Sequence, residues 1–215
     1  MKLINIATYL VGIATYIVIL PVVVGFYCYA YLSKELKVLL AGLTAMLFLD
    51  IVLYFFQTSK NTFLYGFNAL DIITYSWMFS MAIHLSSVRK IIRIGVFLFL
   101  LFIVFDAFIW SGINNNGYSN ALGKVWILGI AIYYLIQLFR DLNVMKLTQQ
   151  PLFWISVGLI TNNAIGLIDI FSNPMLTYSQ NMYLQFYMIW SIAAIFMYCC
   201  FAYAFFKYRL ESHLF

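Results

Sequence analysis

Residues 153–173, FWISVGLITNNAIGLIDIFSN, are long and apolar enough to cross a bilayer, yet they carry Asn162, Asn163 and Asp169 where lipid penalises polar groups. On helical spacing Gly158, Asn162, Gly166, Asp169 and Asn173 fall at i, i+4, i+8, i+11 and i+15, so one side of this helix is a stripe of small and polar residues. That side is expected to face protein or trapped water.

The rest of the chain reads the same way. Of its 215 residues, 65% are hydrophobic and 9% charged, and the mean hydropathy is +0.95; in soluble domains roughly a quarter of residues are charged. Seven apolar segments are expected to cross the membrane, at about 4–32, 36–57, 62–85, 91–112, 120–139, 151–172 and 182–207. Each is expected to be a helix, because an open sheet edge leaves backbone groups unpaired in hydrocarbon and barrel strands alternate polar with apolar residues. The fold class is therefore all-α, a seven-transmembrane-helix bundle forming a single transmembrane domain over residues 1–215. The apolar run after Met1-Lys2 is longer than the roughly 7–15 residues of a signal-peptide core, so it is expected to remain as an anchor. Pro151 suits the first position of its helix, and Pro21 predicts a kink inside the first segment.

Orientation follows from the cations. Nine of the twelve Lys and Arg residues lie after segments one, three and five or in the C-terminal tail; Lys2, Lys60 and Lys124 lie on the other side. The positive-inside rule then puts the N-terminus outside and the C-terminus in the cytoplasm. Trp110, Trp126, Tyr118, Tyr178 and Tyr183 gather near the outer interface as an aromatic belt. The net charge of +5 comes from cations at segment ends, which argues against nucleic-acid binding.

Four of the seven acidic residues, Asp50, Asp71, Asp106 and Asp169, sit within apolar segments. Each costs about 2.5–3.5 kcal/mol on insertion scales, so such groups face a bundle interior or a wet cavity. Counting about 1.5 Å per residue puts all four in the outer leaflet. Asp50, Tyr54 and Gln57 recur at i, i+4 and i+7, Asn68, Asp71 and Tyr75 at i, i+3 and i+7, and Trp110 follows Asp106 by one turn. The expected site is an acidic, outward-opening pocket lined by Asp71, Asp50, Asp106, Asn68, Tyr75, Asn162, Trp110 and Asp169, with Gln185, Tyr187 and Trp190 as additions. Intramembrane Asp and Asn also hold helices together through hydrogen bonds of roughly 0.6–2 kcal/mol, and this plainer role competes at every position.

Other features favour packing over chemistry. Gly158, Gly166 and Ser156 suit a close helix crossing, and Cys28, Cys199 and Cys200 lie in apolar segments with no disulfide framework. His84 and His213 lack the placement for a zinc or haem site, no catalytic motif is present, and the last segment lacks the mid-helix lysine of a retinal protein. No metal, cofactor or catalytic residue is expected. The cluster Arg89-Lys90-Arg93 reads as a topology signal, a lipid-headgroup contact or a partner-docking face.

The segment PLFWISVGLI at 151–160, followed by an Asn-bearing apolar helix and an aromatic-rich final helix, resembles a group of small bacterial seven-helix membrane proteins to which no agreed activity attaches. The resemblance implies the architecture and a multi-pass place in a bacterial inner membrane. It transfers no functional residue. With the acidic pocket, it leaves a receptor-like or signalling-accessory protein as the leading expectation, binding a small ligand, for which cations are favoured electrostatically, and relaying to a cytoplasmic or membrane protein partner. A cation- or proton-coupled transporter or channel comes second; a membrane enzyme, or a structural subunit of a complex, comes third.

Overall fold

The structure, a computed structural model, describes residues 2–55, 60–110, 117–140, 147–176 and 180–212. These residues form helices α1 (Lys2–Tyr16), α2 (Ile19–Tyr27), α3 (Lys34–Phe55), α4 (Lys60–Ala82), α5 (Ser86–Phe105), a π-helical turn (Asp106–Trp110), α6 (Gly117–Arg140), a 3-10 turn (Leu147–Gln149), α7 (Pro151–Leu176) and α8 (Gln180–Ser212), with no strand among them. Taking α1 with α2, and α5 with its π turn, gives the seven helical segments expected. Among the described residues six stretches are long and apolar enough to cross a membrane: Ile6–Tyr27, Lys34–Leu53, Ser86–Trp110, Tyr118–Arg140, Pro151–Ile168 and Leu184–Leu210. α4 is as long, at 23 residues, but Asn68, Asp71, Thr74, Ser76 and Ser80 dilute its apolar character.

Two departures from uniform helix have local causes. The first segment breaks between Tyr16 and Ile19, one turn before Pro21. Proline has no N–H to give the Ile17 carbonyl, which instead accepts from Leu20 at 2.9 Å, while Val22 N–H reaches Val18 only at 3.4 Å. The kink expected from Pro21 is therefore a full interruption. The second is the π turn that ends α5, which the sequence reading runs on as plain helix to 112.

The chain groups into two compact units. The first comprises residues 1–31 and 138–215, with α1, α2 and α7 packed on α8. Gly158 lets α7 approach α8 closely: a Cβ there would lie 3.1 Å from Met197 Cα and 3.2 Å from Cys200 Cβ. Ile155 and Leu159 of α7, and Phe201 and Phe205 of α8, are fully buried, and Trp154 meets Tyr203 edge-on at 5.1 Å. Farther along α8 the Arg209 guanidinium donates to the Tyr27 hydroxyl and stacks over the Tyr27 ring at 4.3 Å and the Tyr31 ring at 5.6 Å.

The second unit, residues 32–137, packs α4 against α3 and α5. α4 has buried residues around much of its circumference, among them Ile72, Tyr75, Met78 and Phe79, together with the polar Asn68, Thr74, Ser76 and Ser80. A helix enclosed in this way carries polar groups without meeting lipid, which accounts for its lower hydropathy.

The α7–α8 contact is directly testable. Gly158→Leu forces a branched side chain against the α8 backbone and is expected to cost about 1–3 kcal/mol, read as a lower melting temperature in detergent. Gly12→Leu, where an added Cβ meets open space, is expected to leave melting nearly unchanged.

Candidate functional site

Several polar residues of the second unit collect where α4 meets α6. Asn68, Asp71 and Tyr75 share one face of α4, as their spacing requires. The Tyr75 hydroxyl donates to the Asp71 carboxylate, and the charge acting on that carboxylate is the Lys124 ammonium of α6. Beside it, Gly123 leaves room for Asn68: a Cβ at that position would stand 2.6 Å from Asn68 Oδ1. Asn68 is only 8% exposed, and its amide nitrogen is enclosed without a hydrogen-bond partner. One turn below Asp71, Trp126 Nε1–H donates to Ser76 Oγ at 3.0 Å, and the indole lies over Gly95 of α5, where any Cβ would collide with it. Phe79 and Tyr134 continue the α4–α6 contact at 5.4 Å.

Asp106 has a different setting. It is 0% exposed, opens the π turn, and its Oδ2 accepts the Ser119 N–H at 3.0 Å. Ser119 lies in the first turn of α6, where backbone amides have no intrahelical acceptor and the helix dipole favours a negative charge. The extra residue of a π turn re-aims the side chains around it, and here the result is a carboxylate from the end of one helix capping the start of the next. Tyr65 of α4 lies within electrostatic reach of this carboxylate.

The remaining expected site residues are dispersed. Asp50 is half-buried on α3. Trp110 is 60% exposed and stacks on Tyr118 at 5.0 Å, an arrangement that suits an interfacial belt. Asn162 and Asp169 belong to α7 in the other unit. Asn162 Oδ1 is enclosed without a partner, whereas Asn163, 5% exposed, donates its side-chain amide to the Leu159 carbonyl of its own helix at 2.8 Å. Gln57 and the side chains of Tyr54 and Asp169 lie outside the described residues.

Lys124 is the residue that the sequence reading left out of the site, because it was counted among the outer topology cations. Its position, four residues inside the apolar segment 120–139, is the signal that marks it as a partner for an intramembrane carboxylate. Ser119 carries no such signal, since its part is played by the backbone. Among the described residues no three His, Cys, Asp or Glu side chains gather as a metal site would require. Comparison with protein-family models, curated proteins and solved structures finds no match to this chain.

The capping role of Asp106 predicts a graded response. Asp106→Ala removes the acceptor of the buried Ser119 amide and is expected to cost about 1–3 kcal/mol. Asp106→Asn keeps an acceptor oxygen and should retain more than half of that stability, as measured by denaturant or thermal unfolding of both variants in detergent.

Proposed function

We propose that this chain is a receptor-like, multi-pass protein of a bacterial inner membrane, with its N-terminus outside and its C-terminus in the cytoplasm. A small ligand binds among Asn68, Asp71, Tyr75 and Lys124, shifts α4 against α6, and so signals to a protein partner on the basic side. The observation that carries this reading is the buried Asn68 amide nitrogen, which has an unused donor beside a carboxylate and an ammonium. An unpaired donor inside a protein costs about 1–3 kcal/mol, and a guest bearing an acceptor oxygen recovers that energy. Lys124 also changes the ligand chemistry. With one charge of each sign, the site favours a small zwitterion, whereas a bare cation has to compete with Lys124 for Asp71.

A transport reading has support of its own in the buried Thr74, Ser76 and Ser80, which continue the polar residues of α4 beyond Asp71 toward the basic end, although on other sides of the helix. Ser76 is already engaged by Trp126, which leaves this line narrower than a continuous path.

Thermal shift of the purified protein with glycine, choline and acetate as zwitterionic, cationic and anionic probes tests the ligand reading. Glycine is expected to raise the melting temperature, by about 2.7 kcal/mol of stabilisation at one hundred times its dissociation constant, and Asn68→Ala, Asp71→Asn and Lys124→Gln should each abolish the shift. No shift with any probe, or shifts that survive in all three variants, would sink the site. In proteoliposomes the receptor reading predicts no Asp71-dependent flux of protons or of the bound probe; such a flux would favour transport.

A further inference from the structure

Helices α5 and α6 leave between them an apolar slot of about 560 Å³, lined on α5 by Ile92, Gly95 and Phe99 and on α6 by Trp126, Gly129 and Tyr133. It runs from Val88 to Phe102, about 21 Å at 1.5 Å per residue. Its lining is apolar along this length, which suits a hydrocarbon chain. Half the hydrocarbon thickness of a bilayer is about 15 Å, so an acyl chain entering from one leaflet lies within the slot over its whole buried length.

The end at Val88 is the charged one. Arg89, Lys90 and Arg93 occupy the first two turns of α5, and the helix starts with no side-chain cap from Leu85, which leaves the positive end of its dipole open. Toward that same end two enclosed polar atoms, Arg89 Nε and Gln137 Oε1 of α6, have no hydrogen-bond partner among the described residues. By helical spacing the three cations leave α5 away from the slot, so they meet a headgroup over the helix end on their flexible stems, while the chain below is held by apolar contact alone. We propose that the slot holds one acyl chain of an anionic phospholipid whose phosphate is bound at the first turn of α5 by Arg89, Lys90 and Arg93. An apolar slot alone would take any lipid. The cations at one end select a phosphodiester with no compensating positive charge.

Native mass spectrometry of the full chain, delipidated in detergent and then offered phosphatidylglycerol or phosphatidylcholine with identical chains, tests this assignment. The wild type is expected to retain one phosphatidylglycerol at least about tenfold better than phosphatidylcholine, from the attraction that each Lys or Arg exerts on an anionic headgroup. Arg89→Gln/Lys90→Gln/Arg93→Gln should bring the two lipids to equal retention. Gly129→Leu projects a side chain into the open space of the slot and is expected to weaken phosphatidylglycerol about tenfold. Gly66→Leu, placed in open space on α4, should bind like the wild type. Val125→Trp is a second blocker, and only blockers that melt at the wild-type temperature are scored. Equal retention of both lipids by the wild type, or a folded blocker that holds phosphatidylglycerol as the wild type does, would overturn the proposal.

Discussion

A carboxylate set in the middle of an apolar segment needs a partner, and in the 32–137 unit that requirement is met by bringing α6 against α4. Asp71 has the Tyr75 hydroxyl on its own helix and the Lys124 ammonium on the other. The neighbouring residues follow from this pairing. Gly123 precedes Lys124 and gives Asn68 its space; Trp126, two residues beyond, reaches Ser76 and covers Gly95. Each contact is polar or close-fitting, and both kinds fix rotation and height of α6, which a seam of interchangeable apolar side chains would not do.

The other unit is held differently. There α7 meets α8 through Gly158 and a set of fully buried apolar side chains, and the hydroxyls of Ser156 and Ser191 are satisfied within their own helices by Leu152 and Tyr187. Such self-satisfied groups cost little to bury and specify little about a neighbour. The stripe on α7 that suggests a site is at Gly158 a packing surface against α8, and Asn163 beside it is tied to its own backbone. On α7 the group left without a partner is Asn162 Oδ1, and on α4 it is the Asn68 amide nitrogen.

Much of this was legible in the sequence. Hydropathy gives the helical segments, Pro21 the break in the first of them, and the i, i+3, i+7 spacing the shared face of Asn68, Asp71 and Tyr75. What spacing and depth do not give is which way a helix is turned about its axis. Asp106 and Trp110 lie one turn apart in sequence, yet one is fully buried and the other exposed, across a π turn that sequence spacing does not show. Asn162 and Asn163 are adjacent, and only the azimuth of α7 decides which of them is the more enclosed. Lys124 differs for another reason: counting loop cations treats every Lys near a segment end as a topology signal, whereas this one is half-buried and acts on the Asp71 carboxylate.

The interaction of the Lys124 ammonium with the Asp71 carboxylate is the point on which the proposed site most directly depends. A double-mutant cycle with Asp71→Asn and Lys124→Met, read by unfolding in detergent, measures it directly. Each single change strands the opposite charge, so both singles should be clearly destabilised, and the double variant should be more stable than the sum of the singles by a coupling of about 0.5–3 kcal/mol. Strictly additive effects, with no coupling between the two positions, would contradict the account.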